Sequence, residues 1–374
     1  MADVHGTCEA RFEGIRTALS ASLDSGADVG ASVAVYLHGE PVVDIWGGYV
    51  DEAKRAPWES DTITNVWSTT KTMTFLCALM LADRGQLDFH APVATYWPEF
   101  ADAGKETVEV RHVMGHTAGL SGWEQPIEPQ QLADWGLCVS ALAAQKPWWE
   151  PGTASGYHAL TQGYLIGEVV RRITGQSIGS WFASEVAKPL GADFFIGLPE
   201  SEDHRVTNVI PPPPIDLAGM QVPEIMAKTF LNPPLDATYA PQTWWRRAEI
   251  PAANGHGNAR SVAAVQSIIA GKGTARGIRL LSAAGTDPIF EEQADGTDLV
   301  LSTPVRFGMG YGLNSADMSI GPRACYWGGY GGSLIVMDQD TELTICYVMN
   351  RMESGVTGDP RGETILLEAV KGLG

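Results

Sequence analysis

Trp67-Ser68-Thr69-Thr70-Lys71-Thr72-Met73-Thr74-Phe75-Leu76-Cys77-Ala78-Leu79-Met80-Leu81 sets a serine and a lysine three positions apart at the head of an apolar run. Residues three apart share one face of a helix, so a helix beginning near Ser68 brings the Lys71 amine within hydrogen-bond reach of the Ser68 hydroxyl. A serine hydroxyl is a weak nucleophile until a neighbouring base takes its proton. Lysine serves as that base only when uncharged, and both burial and the positive end of a helix disfavour its charge. The same helix start offers the Ser68 N–H to a developing oxyanion. The spacing alone also suits a capping serine beside a solvated lysine, so the rest of the chain has to choose.

Composition narrows the choice. The 374 residues, 44% hydrophobic and 18% charged, describe a globular chain long enough for one large domain or two interleaved ones. A formal net charge of −19 argues against nucleic acid and against an anionic membrane surface as partners. Cys8, Cys77, Cys138, Cys325 and Cys346 are scattered and odd in number, with no CxxC spacing, so neither a zinc site nor a disulfide framework is expected. They suit buried thiols in a reducing compartment. No stretch has the roughly 18 uninterrupted apolar residues of a membrane span. The N-terminus lacks a basic start followed by an apolar stretch, so the expected location is cytoplasmic.

Along the chain, helical periodicity covers Cys8 to Leu23, and Ala31–Leu37 and Pro41–Val50 read as two strands joined at His38-Gly39-Glu40. From Trp67 to about Lys188 the pattern is helical, including Leu160–Thr174 and Ser177–Ala187. The proline-rich stretch Ile210–Trp245, with Pro211 to Pro214 in a row, is unsuited to a long helix. It reads as a linker or as an ordered excursion, and its apolar Ile225, Met226, Phe230, Trp244 and Trp245 favour packing over something. A helix at Val262–Ala270, strands near Ala324–Trp327, Ser333–Asp338 and Leu343–Asn350, and a final helix Gly362–Val370 complete the chain. Strands at both ends around a helical block predict an α+β fold, an antiparallel sheet flanked by helices with an inserted helical domain. The expected division is residues 1–66 and 250–374 for the discontinuous sheet domain and 67–249 for the helical one, with the active site between them.

Several ordered motifs resemble the serine β-lactamase and penicillin-binding protein superfamily, in its class C-like branch. They are Ser68-x-x-Lys71, the run Arg111 to Leu120, Glu150-Pro151-Gly152-Thr153 followed by Tyr157, Pro189-Leu190-Gly191, Asn254-Gly255-x-Gly257 with Ala259-Arg260-Ser261, and Phe307 to Gly312. The resemblance runs from about residue 10 to the end and implies a β-lactamase-like fold. It also implies catalytic roles for Ser68, Lys71 and Tyr157, with the tyrosine moving protons and its pKa lowered by the lysine. The alternative for Tyr157 is a half-buried aromatic.

Two departures from the lactamase pattern point to an esterase. Tyr157-His158-Ala159 keeps the tyrosine and lacks the asparagine that follows it in Tyr-x-Asn. Trp327-Gly328-Gly329 stands where lactamases carry Lys-Thr-Gly, and an indole cannot pair with a carboxylate. Trp-Gly-Gly here is similar to the lactamase-like, family VIII carboxylesterases. By that resemblance the N–H groups of Ser68 and Tyr330 form the oxyanion hole, while Trp327, Gly328, Gly329 and, by adjacency, His158 contact substrate. The alternative for Trp-Gly-Gly is a strand end with a glycine-rich turn. His112, His116, His158 and His256 stay outside the catalytic set, His116 because its segment is structural in the family. Trp123, Trp148, Trp149, Trp244 and Trp245 suit an acyl pocket or ordinary packing equally.

The expectation is therefore a serine carboxylesterase acting on small, short-chain or aromatic esters through an acyl-enzyme, with no cofactor, no metal and a weak lactam side activity. A β-lactamase, D-peptidase or amide hydrolase of the same superfamily is the alternative, followed by an acyltransferase. An inactive scaffold fits least, because the three catalytic residues are all present.

Overall fold

The computed structural model describes residues 2–213, 222–315, 318–355 and 358–374, so Pro214, the last of the proline run, lies outside the described residues. Among the described residues one antiparallel sheet has nine strands. Its middle joins the two ends of the chain, with Gly30–Leu37 paired to Leu343–Met349 in register from Ala31↔Met349 to Leu37↔Leu343. On one side follow Glu40–Gly48 and then Val4–Cys8. On the other come Leu334–Asp338, Ala324–Gly328, Gly312–Leu313, Pro304–Phe307 and, at the edge, Ala294–Thr297.

The hairpin Gly30–Leu37/Glu40–Gly48 turns at His38 and Gly39, whose φ of 50° and 79° give the turn that matches strand twist. The two central strands are buried along their whole length, which requires cover on both faces. The terminal helices Glu13–Ser25 and Pro360–Lys371 pack on each other and against the sheet, and Ala259–Ala270 lies across the central strands, where Ala259 N–H donates to Ser32 Oγ at 3.1 Å. The segment Val4–Cys8, which overlaps the expected helix from Cys8, is an edge strand, and the helix starts only at Glu13 after a 3-10 turn. Ser177–Ala187 is not one regular helix: Ile178–Phe182 is α and Ala183–Ala187 is a π turn.

In chain order between the two groups of strands, Lys71–Asp83 runs as an almost wholly buried helix against Thr161–Thr174. A helix apolar on all sides belongs in an interior. Among the described residues no helix is long and apolar enough to cross a membrane.

Candidate active site

Ser68 lies in a 3-10 turn, Trp67–Thr70, that feeds the helix Lys71–Asp83. Side chains three apart eclipse one another in a 3-10 turn, so the spacing read from sequence is satisfied more directly than in an α-helix. Lys71 Nζ lies 3.1 Å from Ser68 Oγ. Trp67, just before the nucleophile, has φ of 49°, a left-handed conformation that an indole-bearing residue holds only when its surroundings impose it. Val66 N–H donates to Gly255 O at 2.9 Å, Asn65 Nδ2 donates to Ala253 O at 2.7 Å, and Gly255 N–H donates to Thr70 Oγ1 at 2.8 Å. A Cβ on Gly255 would stand 2.5 Å from Thr70 Oγ1 and 2.4 Å from Phe194, which accounts for glycine in Asn254-Gly255-x-Gly257.

Lys71 is fully buried, and its amine donates to Ala159 O at 2.7 Å and Ala252 O at 2.9 Å. Burial holds its pKa well below the ordinary lysine value. A neutral amine has two N–H bonds and one lone pair. With the two N–H bonds on the carbonyls, the lone pair is left for Ser68 Oγ. From the other side the Tyr157 hydroxyl donates to Ser68 Oγ at 2.7 Å, and the lysine nitrogen sits 4.9 Å from the centre of the tyrosine ring. The Tyr157 pKa is not lowered here: burial pushes it up, the Ser68 hydrogen bond opposes the rise, and the proximity of Asp298 adds to it. Burial thus disfavours the charged form of both partners of the serine.

The strand Ala324–Gly328 brings the second half of the site to this turn. Gly329 packs so closely that a Cβ would lie 2.5 Å from Val66 O and 2.2 Å from Ser333 Oγ. Ser333 Oγ donates to Val66 O at 3.0 Å and bonds Thr69 Oγ1 at 2.9 Å, fastening the glycine loop to the nucleophile turn. The Tyr330 ring meets Trp67 edge-on at 5.5 Å. Neither the Ser68 N–H nor the Tyr330 N–H is engaged by an acceptor among the described residues.

Trp327 is 3% exposed; it stacks on His116 at 5.5 Å and meets Phe75 edge-on. With Tyr157, Leu301, Val305 and Phe307 it walls a cavity of about 260 Å³ beside the tyrosine. His158 does not face the cleft. Its Nε2 accepts from Leu120 N–H at 3.1 Å, its Nδ1 faces Gly156 O at 2.6 Å, and burial drives its pKa down to about 3. A neutral ring with both nitrogens occupied by backbone is a structural support, so the expected substrate contact through His158 is withdrawn. His116, with φ of 61°, accepts from His158 N–H through Nδ1 at 3.0 Å and is likewise a brace.

The cleft over Ser68 is lined by Trp67, Leu160, Phe230, Leu235, Ala253 and Tyr330, and has about 10 Å³ of free space, room for a single water at most. Phe230 and Leu235 come from the proline-rich excursion, which therefore covers the nucleophile. Trp123, Trp148, Trp149, Trp244 and Trp245 do not line this cleft; Trp245, for one, is buried and donates to Asn65 Oδ1 at 2.7 Å. Leu160, Leu235, Ala253 and Ser333 had no motif to mark them, and only tertiary contact reveals them.

This arrangement holds a hydroxyl between a buried amine and a phenol under an apolar cover. The Beta-lactamase family matches residues 15–369. The chain is 35% identical over 367 residues to the Esterase/beta-lactamase LipL of Mycobacterium tuberculosis (strain ATCC 25618 / H37Rv), covering 94% of this chain and 84% of that protein. The crystal structure of a family VIII carboxylesterase superposes with a TM-score of 0.94 at 41% identity, over 99% of this chain and 100% of the other. A penicillin-binding protein homolog from Caulobacter crescentus does so with a TM-score of 0.91 at 35% identity, over 99% and 100% of the two chains. The chain belongs to the β-lactamase family, has its fold over nearly all its length, and is a serine hydrolase.

Proposed function

We propose that the protein is a carboxylesterase that hydrolyses small uncharged esters through an acyl-enzyme on Ser68. The observation that carries this is a serine oxygen 3.1 Å from a buried lysine amine and 2.7 Å from a phenol, with an indole, Trp327, in place of a cation at the strand end.

In the reaction, Ser68 Oγ attacks the ester carbonyl carbon as its proton passes to Lys71 Nζ. The N–H groups of Ser68 and Tyr330 receive the oxyanion. Tyr157 hands its proton to the departing alkoxide and regains one from Lys71, so the alcohol leaves with the phenol's proton and the proton taken from Ser68 balances the phenol's loss. Water then attacks the acyl carbon, gives its proton to the same pair, and Ser68 leaves protonated as the acid is released. Among the described residues every lining side chain of the Ser68 cleft is uncharged, so an anionic acyl group finds no counter-ion among them. A reducing, cytoplasmic setting suits the five free thiols.

Intact mass after brief exposure to p-nitrophenyl acetate and, separately, to nitrocefin tests the proposal in wild type and Ser68→Ala. An acetyl adduct and turnover in wild type are expected, with a loss of about 10⁴-fold or more in Ser68→Ala. Faster turnover of nitrocefin than of the ester would favour a lactamase, and undiminished ester turnover by Ser68→Ala would remove Ser68 from the chemistry.

A further inference from the structure

A hairpin at the sheet edge reverses the usual pattern of exposure. In its outer strand, Ala294–Thr297, Asp295, Gly296 and Thr297 are exposed, yet in the turn that follows Asp298 and Val300 are fully buried. Turns ordinarily are the exposed part of a hairpin. Here the turn reaches inward to the segment that carries Tyr157.

Asp298 Oδ1 accepts three backbone N–H groups: Tyr157 at 3.0 Å, Val300 at 2.8 Å and Leu301 at 2.8 Å. Alongside, Leu299 N–H donates to Ser155 O at 2.8 Å. The turn is closed on itself by Asp298 N–H to Thr303 O at 3.0 Å and Ser302 N–H to Asp298 O at 2.9 Å. Tyr157 has no helix or strand to fix it, since residues 154–158 are irregular and the helix begins at Thr161. Its neighbours are held by His116, which takes Gly156 N–H at 3.0 Å and His158 N–H at 3.0 Å. The bond to the backbone of Tyr157 itself comes from Asp298.

We propose that Asp298 is a positioning residue for Tyr157: its carboxyl oxygen ties the backbone of the tyrosine to the edge-hairpin turn and so sets the phenol against Ser68. The inference rests on the assignment of Tyr157 to proton transfer given above. A buried oxygen that collects three donors fixes all three at once, and an atomic displacement of about 1 Å in such a site costs about 10²-fold in rate.

The test compares Asp298→Ala, Asp298→Asn, Tyr157→Phe and the double variant Asp298→Ala/Tyr157→Phe in hydrolysis of p-nitrophenyl acetate. Asp298→Ala is expected to lower kcat about 100-fold with KM within twofold, as displacement of a transition-state group does. Asp298→Asn is expected to stay within about threefold of wild type, because an amide oxygen accepts the same N–H groups. In the Tyr157→Phe background, removal of Asp298 is expected to cost no further kcat. Equal losses in both backgrounds, or wild-type kcat in Asp298→Ala, would overturn the proposal while leaving Tyr157 in its role. Full activity in Tyr157→Phe would instead defeat the role of Tyr157, and the proposal with it. If Asp298→Ala does not fold, Asp298→Asn decides: a kcat as low as that of Tyr157→Phe overturns the acceptor role.

Discussion

Two regions meet over Ser68 and are built differently. Beneath it, the turn Trp67–Thr70 is bolted by hydrogen bonds that all end on backbone carbonyls: Val66 N–H to Gly255, Ser333 Oγ to Val66, and Lys71 Nζ to Ala159 and Ala252. Above it, the excursion contributes the side chains of Phe230 and Leu235, and its own Leu231 is 60% exposed. Below, directed hydrogen bonds fix where the atoms of the turn lie. Side chains fix how much room is left. On the proposed function, chemistry and substrate size would fall to different parts of the chain, and altering one should leave the other.

The sharpest way to break the lower region is Gly329→Ala. A Cβ there meets the backbone oxygen of Val66 at 2.5 Å, which has no freedom to retreat. We expect kcat to fall about 10²-fold and stability to drop by about 1–3 kcal/mol, read by p-nitrophenyl acetate kinetics and thermal melting. An unchanged kcat would mean that the glycine loop is not held as described.

The upper region is tested by Phe230→Ala. Removing the ring opens space over the nucleophile, so the ratio of kcat/KM for p-nitrophenyl octanoate to that for the acetate is expected to rise about tenfold, the scale set by methylene-level discrimination in an apolar pocket. The acetate rate itself should hardly change. A fall in both rates together would mean that the excursion takes part in the chemistry and that the separation of the two regions is wrong.

The subtlest distinction lies in the pH profile. In the proposed role Lys71 is a base only when unprotonated, so kcat/KM is expected to rise with pH as the amine loses its proton. Because burial lowers that pKa, the rise is complete at lower pH than an ordinary lysine would allow. Burial drives His158 and His256 to about 3 and His116 well below its ordinary value, so no limb from these rings is expected near pH 6.5. An inflection there that vanishes in His158→Gln would return the histidine to the site.

What was legible in the sequence was local. The first hairpin was readable because strand alternation and a His-Gly turn act over a few residues, and the observed strands Gly30–Leu37 and Glu40–Gly48 fall within two residues of the expected ones. The Ser68 to Lys71 spacing was readable for the same reason. Val4–Cys8 left no trace, since its residues are mostly exposed and Gly6 has φ of 94°; backbone pairing holds it, and no apolar period records that. The strands Ala294–Thr297 and Pro304–Phe307 are short and at the edge, and were missed on the same ground. The link from Asp298 to Tyr157 spans 141 residues and Ser333 to Thr69 spans 264, separations over which spacing carries no information. The tyrosine pKa was misjudged because charge proximity is visible in a motif while burial is not.

The pairing of Gly30–Leu37 with Leu343–Met349 has a consequence for synthesis. Ser68, Lys71 and Tyr157 leave the ribosome early, but Gly329, Tyr330 and the strand that completes the centre of the sheet come near the end. Until they arrive the nucleophile turn lacks the bonds from Ser333, and the Gly30–Leu37 edge of the sheet is unpaired. On the proposed mechanism the chain is expected to stay inert during most of its own translation and to gain reactivity only as these strands pair.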